Sequence, residues 1–136
     1  MSDLQQRLVE KIKELEAELS SLREKKETYE GGIGLGLSLN GKPLKAASDD
    51  DLAMAVVRLY ANIECATAIP INASKETMAL VKDTIATTEH LRNSAYFLLE
   101  SRQCAAKITS INALLAKARS LMSQDSKVAD FLKDLE

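Results

Sequence analysis

The chain has 136 residues, of which 46% are hydrophobic and only 4% aromatic, and it contains no Trp. Its apolar residues are mostly Ala, Leu, Ile and Val, which favours packed helices over a β-sandwich. The 18 basic and 20 acidic residues are spread along the chain and leave a net charge of −2. The chain therefore has no strong positive electrostatic field that would attract it to nucleic acid or to an anionic membrane. No stretch approaches the ~18 apolar residues that span a bilayer, and residues 1–10 lack the apolar run of an export signal. We therefore expect a cytoplasmic, mainly α-helical protein that binds neither nucleic acid nor a membrane.

The first segment, residues 1–30, has the pattern of a coiled-coil helix. It contains no Gly or Pro, and its apolar residues recur at the a and d positions of a heptad. The predicted seam consists of Leu8, Ile12, Leu15, Leu19, Leu22 and Tyr29. Gln5 and Lys26 occupy the outer a positions, so about two central heptads would carry most of the contact.

Charged residues beside this seam favour a parallel pair of helices. In a parallel coiled coil each g residue faces an e residue of the next heptad on the other helix. These pairs have opposite charge here: Lys11 with Glu16, Glu18 with Arg23, and Lys25 with Glu30. We therefore predict a homo-oligomer, either a parallel coiled-coil dimer or a higher assembly. The alternative is that the stripe packs against the rest of its own chain.

The segment 31–47 holds all five glycines and interrupts the helical pattern. Over residues 33–39 apolar side chains alternate with Gly or Ser, which predicts a β-strand with one apolar face. Asn40-Gly41 is typical of a type I′ turn, and the chain can return as an edge strand because Pro43 cannot donate to an interior ladder. We predict a small Gly-rich β-hairpin.

The bare backbone of this hairpin is a candidate contact surface for a small ligand or a partner. Glycine lets another molecule approach closely, and nearby cations could supply polar contacts. The candidate contact residues are Gly32, Gly34, Gly36, Asn40, Lys42, Lys45 and Arg58. The alternative is a hairpin that caps the core or joins protomers. The segment also matches GxxxxGK, but Pro43 stands where the hydroxyl that binds magnesium belongs, so a true P-loop is not predicted.

Residues 48–136 are predicted to form a helical bundle region. Ser48 is followed by three acidic residues, the pattern of an N-cap and first helical turn. The second helix that starts there should be mostly buried and should end near Thr67. Its apolar stripe contains Leu52, Val56, Leu59 and Ile63, broadened by Met54, Ala55, Val57 and Tyr60.

A third helix is predicted to begin at Asn72 or Ser74 and to continue without Gly or Pro to about Ser123. A helix of that length measures ~75 Å and cannot bury itself in a compact monomer. It must therefore break, near Asn93 or near Gln103, or be covered by other protomers, and we expect one long helix. A short final helix from about Asp125 presents Val128, Phe131, Leu132 and Leu135.

No group of residues in the sequence indicates catalysis, a metal or a cofactor. Cys65 and Cys104 stand alone and are expected to be reduced core residues. His90 is the only histidine, and neither cysteine is placed to work with it. The acids at 49–51 point in different directions on a helix, and capping explains them. The later cations Arg102, Lys107, Lys117 and Arg119 scatter around the helix, so no nucleic-acid stripe is predicted.

These features predict a non-enzymatic, oligomeric helical interaction protein, such as an adaptor, an assembly chaperone or an inhibitor of a macromolecular partner. The alternative is a protein that captures a small ligand or nucleotide between protomers with its Gly-rich hairpin. The size, the lack of catalytic motifs and the helix-hairpin-helix order resemble those of small bacterial or bacteriophage accessory proteins, a likeness of organisation that covers no motif.

Overall fold

A computed structural model describes residues 2–68 and 73–135. The described residues form four helices and a two-stranded antiparallel hairpin, which confirms the prediction of a mainly α-helical fold with a small hairpin. The elements in chain order are α1 (Asp3–Gly31), β1 (Ser38–Leu39), β2 (Lys42–Pro43), a 3-10 turn (Leu44–Ala46), α2 (Asp49–Ala66), α3 (Lys75–Ser120) and α4 (Asp125–Asp134). No described helix combines the length and apolar content that a membrane crossing requires.

α1 starts at a capping serine and ends at the first glycine. The Ser2 hydroxyl accepts a hydrogen bond from the backbone N–H of Gln5 at 3.1 Å, which satisfies a donor that the first helical turn leaves open. Residues of high helix propensity then continue to Gly31. The predicted helix over residues 1–30 is confirmed, with Met1 outside the described residues.

The hairpin forms at the predicted turn, but its strands are shorter than predicted. Asn40 and Gly41 have φ angles of 53° and 78°, the left-handed conformations that a type I′ turn requires. The ladder then covers only two residues of each strand. The predicted strand over 33–39 is wrong because Gly36, with φ of 70°, turns the chain before β1. The return strand also ends early, since Leu44 begins the 3-10 turn.

α2 begins and ends where the sequence predicts. The Ser48 hydroxyl accepts a hydrogen bond from the backbone N–H of Asp51 at 3.1 Å, and Thr67 is the C-terminal cap. The residues of α2 that are buried are Leu52, Ala55 and Leu59. The prediction that most of α2 is buried is wrong, because Met54, Val57 and Tyr60 are exposed. Only one side of this helix contributes to the core.

α3 is one continuous helix of 46 residues, as expected. The Ser74 hydroxyl caps it by accepting a hydrogen bond from a backbone N–H at 3.1 Å, while the alternative cap Asn72 lies outside the described residues. The hydroxyls of Thr84 and Thr88 donate to carbonyls one turn earlier, at 2.8 and 2.7 Å. This polar stretch therefore satisfies its hydrogen bonds within the helix and does not break it.

The chain divides into two compact units, and α1 and α3 contribute residues to both. The terminal unit combines Met1–Glu27 with Gln103–Glu136, and the hairpin unit is Thr28–Arg102. The core of the terminal unit consists of Leu8, Ala118, Leu121, Val128, Phe131 and Leu132. The Gln5 amide donates a hydrogen bond to the Asp125 carboxylate at 2.6 Å, which ties the start of α1 to the start of α4.

The core of the hairpin unit joins the hairpin, α2 and the middle of α3. Its buried residues are Leu39, Leu44, Leu52, Ala55, Leu59, Ala95 and Leu98. The buried Ser94 hydroxyl accepts a hydrogen bond from the backbone N–H of Gly34 at 3.0 Å. This bond replaces the strand partner that the glycine segment lacks.

Candidate interaction surface

The predicted coiled-coil stripe of α1 is covered by the chain itself. Leu8, Leu15, Leu19 and Leu22 are buried in the single chain, while Ile12 and Tyr29 are half-buried. Leu8 lies in the core of the terminal unit, and Ile12 packs against it. These contacts are the ones expected from the alternative interpretation of the sequence, in which the apolar stripe of α1 packs against its own chain. Parallel association through α1 stays a prediction, and it would have to displace these contacts.

Two of the charges predicted to pair between chains also find partners within the chain. The Lys11 ammonium lies 3.3 Å from the Glu14 carboxylate, one turn along α1. The Glu16 carboxylate lies 2.9 Å from the Arg119 guanidinium of α3. The other four residues of the predicted pairs, Glu18, Arg23, Lys25 and Glu30, are exposed.

The glycines of the hairpin segment approach α3 of the same chain. A Cβ atom on Gly32 would lie 2.7 Å from the Phe97 ring, and one on Gly34 would overlap the His90 ring. Gly36 has no such neighbour, but its positive φ suits glycine. The bare backbone at Gly32 and Gly34 is therefore explained by close contact with α3.

The other candidate contact residues are exposed on the surface of the chain. Asn40 forms the turn, and Lys42, Lys45 and Arg58 are exposed. Among the described residues, no hydrogen bond or ion pair joins the side chain of Arg58 to the hairpin. A ligand role for these residues stays a prediction.

Three of the four cationic residues noted on α3 form contacts with other parts of the chain. The Arg102 guanidinium donates to the Asp49 carboxylate at 2.8 Å and to the carbonyls of Ala47 and Lys45 at 2.8 and 3.0 Å. It thereby fixes the connection between the 3-10 turn and α2. Lys117 lies 5.8 Å from the centre of the Phe131 ring. Arg119 forms the ion pair with Glu16 described above.

The residues considered for chemistry differ in their exposure. Cys65 is exposed, whereas Cys104 is buried, so the expectation of a core cysteine is wrong for Cys65. His90 is exposed on α3 and lies against Gly34. In residues 2–68 and 73–135 no three His, Cys, Asp or Glu side chains are grouped so as to hold a metal ion.

Three of the exposed large apolar residues of the hairpin unit lie together on α2. Met54 and Val57 are each 71% exposed, and Tyr60 is 55% exposed. Together with the exposed Ala61, these residues form what we name the α2 face. Sequence reasoning missed this face because it assigned every apolar residue of α2 to one broad core stripe. The available signal was that α2 is apolar on nearly all sides, which indicates a second contact.

A groove opens beside the α2 face, where α2 meets α3. Its volume is about 440 Å³, and its lining consists of Val56, Val57, Tyr60, Arg92, Asn93 and Tyr96. Two cavities of the terminal unit are smaller, at about 240 and 210 Å³, and are lined mainly by charged side chains. The groove between α2 and α3 is therefore the largest and the most apolar of these three cavities.

The groove contains one cation that has no acidic partner among the residues that the structure describes. The Arg92 guanidinium lies 5.8 Å from the centre of the Tyr60 ring and donates to the Asn93 amide oxygen at 3.0 and 3.3 Å. Among the described residues, no carboxylate forms an ion pair with Arg92. Arg92 can therefore offer a charge-assisted hydrogen bond to an acidic group that enters the groove.

Tyr96 forms one wall of the groove and belongs to an aromatic cluster. Its ring lies 6.4 Å from that of Tyr29 and 5.9 Å from that of Phe97, between ring centres. The negative charge of Glu100 raises the pKa of the Tyr96 phenol above its ordinary value of 10.0, and desolvation and Tyr29 add to this effect. The phenol therefore stays protonated at neutral pH and can donate a hydrogen bond.

Comparisons with known proteins do not assign the chain to a family. No protein-family model, no curated protein and no solved structure matches it. The function is accordingly argued from the geometry of the described residues.

Proposed function

We propose that this chain is a non-enzymatic helical interaction protein that binds a protein helix on the α2 face and the adjoining groove. The observation that supports this proposal most directly is the exposure of Met54, Val57 and Tyr60 on one side of α2. Single exposed apolar residues are ordinary, but a contiguous apolar face beside a groove is typical of an interaction site. An adaptor, an assembly chaperone and an inhibitor would each use such a site.

The shape and composition of the surface suit an amphipathic helix. Such a helix places apolar anchors three and four residues apart into a groove between two helices. Complete burial of a Met or Val side chain contributes roughly 1.5–3 kcal/mol, so two residues as exposed as Met54 and Val57 offer substantial binding free energy. Tyr60, Arg92 and Tyr96 are of the residue types that dominate binding at protein interfaces.

Site-specific photo-cross-linking in the native host tests this proposal. A benzophenone amino acid at position 57 would lie in the proposed site, whereas the same group at the exposed position 110 on α3 would lie outside the hairpin unit. We expect a discrete protein adduct from position 57 and none from position 110. Adducts of equal yield from both positions, or none from either, would contradict the proposal.

A second candidate function is the capture of a small molecule, and the groove favours it more than the hairpin does. The groove volume of about 440 Å³ lies within the range of ligand pockets, and Arg92 could bind a carboxylate. Thermal-shift measurements with amphiphilic carboxylates would test it. We would expect stabilisation of the parent chain and none of the Arg92→Met variant, while equal shifts for both would argue against a site at Arg92.

A further inference from the structure

α2 carries a second apolar seam on the side away from its own core. Met54, Val57 and Ala61 follow the three-four spacing of a coiled-coil seam and are exposed. The core residues Leu52 and Ala55 point in nearly the opposite direction, given 100° of rotation per residue. A helix with apolar residues on two opposite sides has two surfaces to cover, and the described chain covers one.

One border of this seam carries an acid and a base that have no ion-pair partner in the described part of the chain. Asp51 and Arg58 lie two helical turns apart on the same side of the seam. Neither side chain forms an ion pair among the described residues. The neighbouring Asp49, by contrast, lies 2.8 Å from the Arg102 guanidinium. Two opposite charges are therefore available to a partner that covers the seam.

These two charges complement each other in an antiparallel pair of α2 helices. With Met54 opposite Val57 of a second copy, Asp51 lies opposite Arg58 of that copy. A two-fold axis repeats the contact, so both ion pairs form in the same register. The spacing of one acid and one base along a single helix is thus self-complementary.

The other border and the seam itself favour the same arrangement. In this register the small Ala53 lies opposite the large Tyr60 of the second copy, so the two side chains fit in size. A parallel pair would instead place Asp50 against Asp50 within the seam and would leave the acid of Asp51 without a base. The antiparallel register sets Asp50 against Ala61.

We propose that a second copy of this chain docks on the α2 face, with the two α2 helices antiparallel and Asp51 of each copy paired with Arg58 of the other. This inference rests on the proposed use of the α2 face for binding and names its partner. α2 has 18 residues and is about 27 Å long, so one helix from each copy makes a small interface. The dimer should dissociate in the micromolar range.

Charge reversal tests the register directly. Asp51→Arg and Arg58→Asp would each set like charges opposite one another at both ends of the interface, and each should raise the dimer dissociation constant about tenfold or more. The combined Asp51→Arg/Arg58→Asp variant restores opposite charges and should return to within about threefold of the parent. Sedimentation equilibrium across the micromolar range measures these constants.

Two controls separate association from folding. Asp51→Arg removes an acid from the first turn of α2, but the combined variant carries the same loss, so its recovery could not come from a more stable helix. Lys107→Asp changes an exposed charge on α3 and should leave the dissociation constant unchanged. Circular dichroism would verify that each variant keeps its helix content.

The outcomes distinguish this inference from the proposed function. A parent chain that stays monomeric, or a combined variant no better than the single ones, would overturn the second-copy interface. If position 57 then still cross-links to a different protein, the proposed function stands and only the partner named here is wrong. If the chain neither dimerises nor cross-links at position 57, both proposals fail.

Discussion

α1 and α2 each carry an apolar stripe at coiled-coil spacing, but the two stripes differ in how far they are buried within the chain. On α1, Leu8, Leu15 and Leu19 are at most 7% exposed. On α2, Met54 and Val57 are both 71% exposed. The terminal unit supplies α3 and α4 residues to cover the stripe of α1, whereas the core contacts of α2 use its other side. Residue spacing thus shows which side chains lie on the same face of a helix. Whether that face is buried depends on which other elements of the chain pack against it.

The largest expected effect separates the two stripes by their contribution to folding. Leu8→Ala should lower the free energy of unfolding by about 2–5 kcal/mol, because it leaves a cavity beside Val128 and Phe131. Met54→Ala should change it by less than about 0.5 kcal/mol, since Met54 is solvated in the single chain. Urea denaturation of dilute protein measures both. Equal losses would mean that the two stripes are covered alike.

The glycine segment offers a second comparison, between a glycine that contacts α3 and a glycine that has open space around it. Gly32→Ala should lower the free energy of unfolding by about 1–3 kcal/mol, because the new Cβ meets the Phe97 ring, which Tyr29 and Tyr96 hold in place. Gly31→Ala is the matched control, with no neighbour within 4 Å, and should stabilise the chain by about 0.4–1 kcal/mol. Thermal denaturation would compare them. A Gly32→Ala variant as stable as Gly31→Ala would refute the close contact.

Two arginines of the hairpin unit give a smaller test, which compares a paired charge with one that is unpaired among the described residues. Arg102→Ala should lower the free energy of unfolding by about 1–2 kcal/mol, because it removes hydrogen bonds to Asp49 and to two carbonyls from a half-exposed side chain. Arg58→Ala should have almost no effect on the dilute chain, since no described residue forms an ion pair with Arg58. Urea denaturation checks both, and a cost for Arg58→Ala equal to that of Arg102→Ala would contradict the assignment.

The smallest expected effect concerns the groove wall beside the α2 face. Glu100→Gln should lower the pKa of Tyr96, because it removes the negative charge that most disfavours the phenolate. Phenolate absorbance against pH measures the change, with Tyr96→Phe to identify the signal. An unchanged titration would show that Glu100 does not act on Tyr96.

The pH dependence of stability follows from the direction of this shift. The folded chain holds the pKa of Tyr96 above its unfolded value, so the unfolded chain loses the proton first as pH rises. The contribution of Tyr96 to stability is therefore complete below the ordinary value of 10.0 and is lost as pH rises through the raised pKa. Near neutral pH, Glu100→Gln should leave this contribution unchanged.

Local chemistry in the sequence was enough to predict where most elements begin and end. Ser48 caps α2, Asn40 and Gly41 form the turn, and the lack of Gly and Pro after Ser74 leaves α3 unbroken. Each of these features depends on a few neighbouring residues and their backbone preferences, so a single sequence carries the whole signal. The strand predicted over 33–39 failed because alternation alone supplies no hydrogen-bonded neighbour, and Gly36 turns the chain away.

Only the tertiary structure decided which apolar faces are covered and why the glycines are bare. The stripe of α1 and the α2 face have similar spacing, but coverage depends on residues far away along the chain, such as Val128 beside Leu8. The same holds for Gly32, whose neighbour Phe97 lies on another helix. Periodicity describes one helix at a time, whereas burial is a property of pairs of elements. The contacts of α3 and α4 with α1, and the exposure of Met54 and Val57 on the α2 face, therefore could not be read from either helix alone.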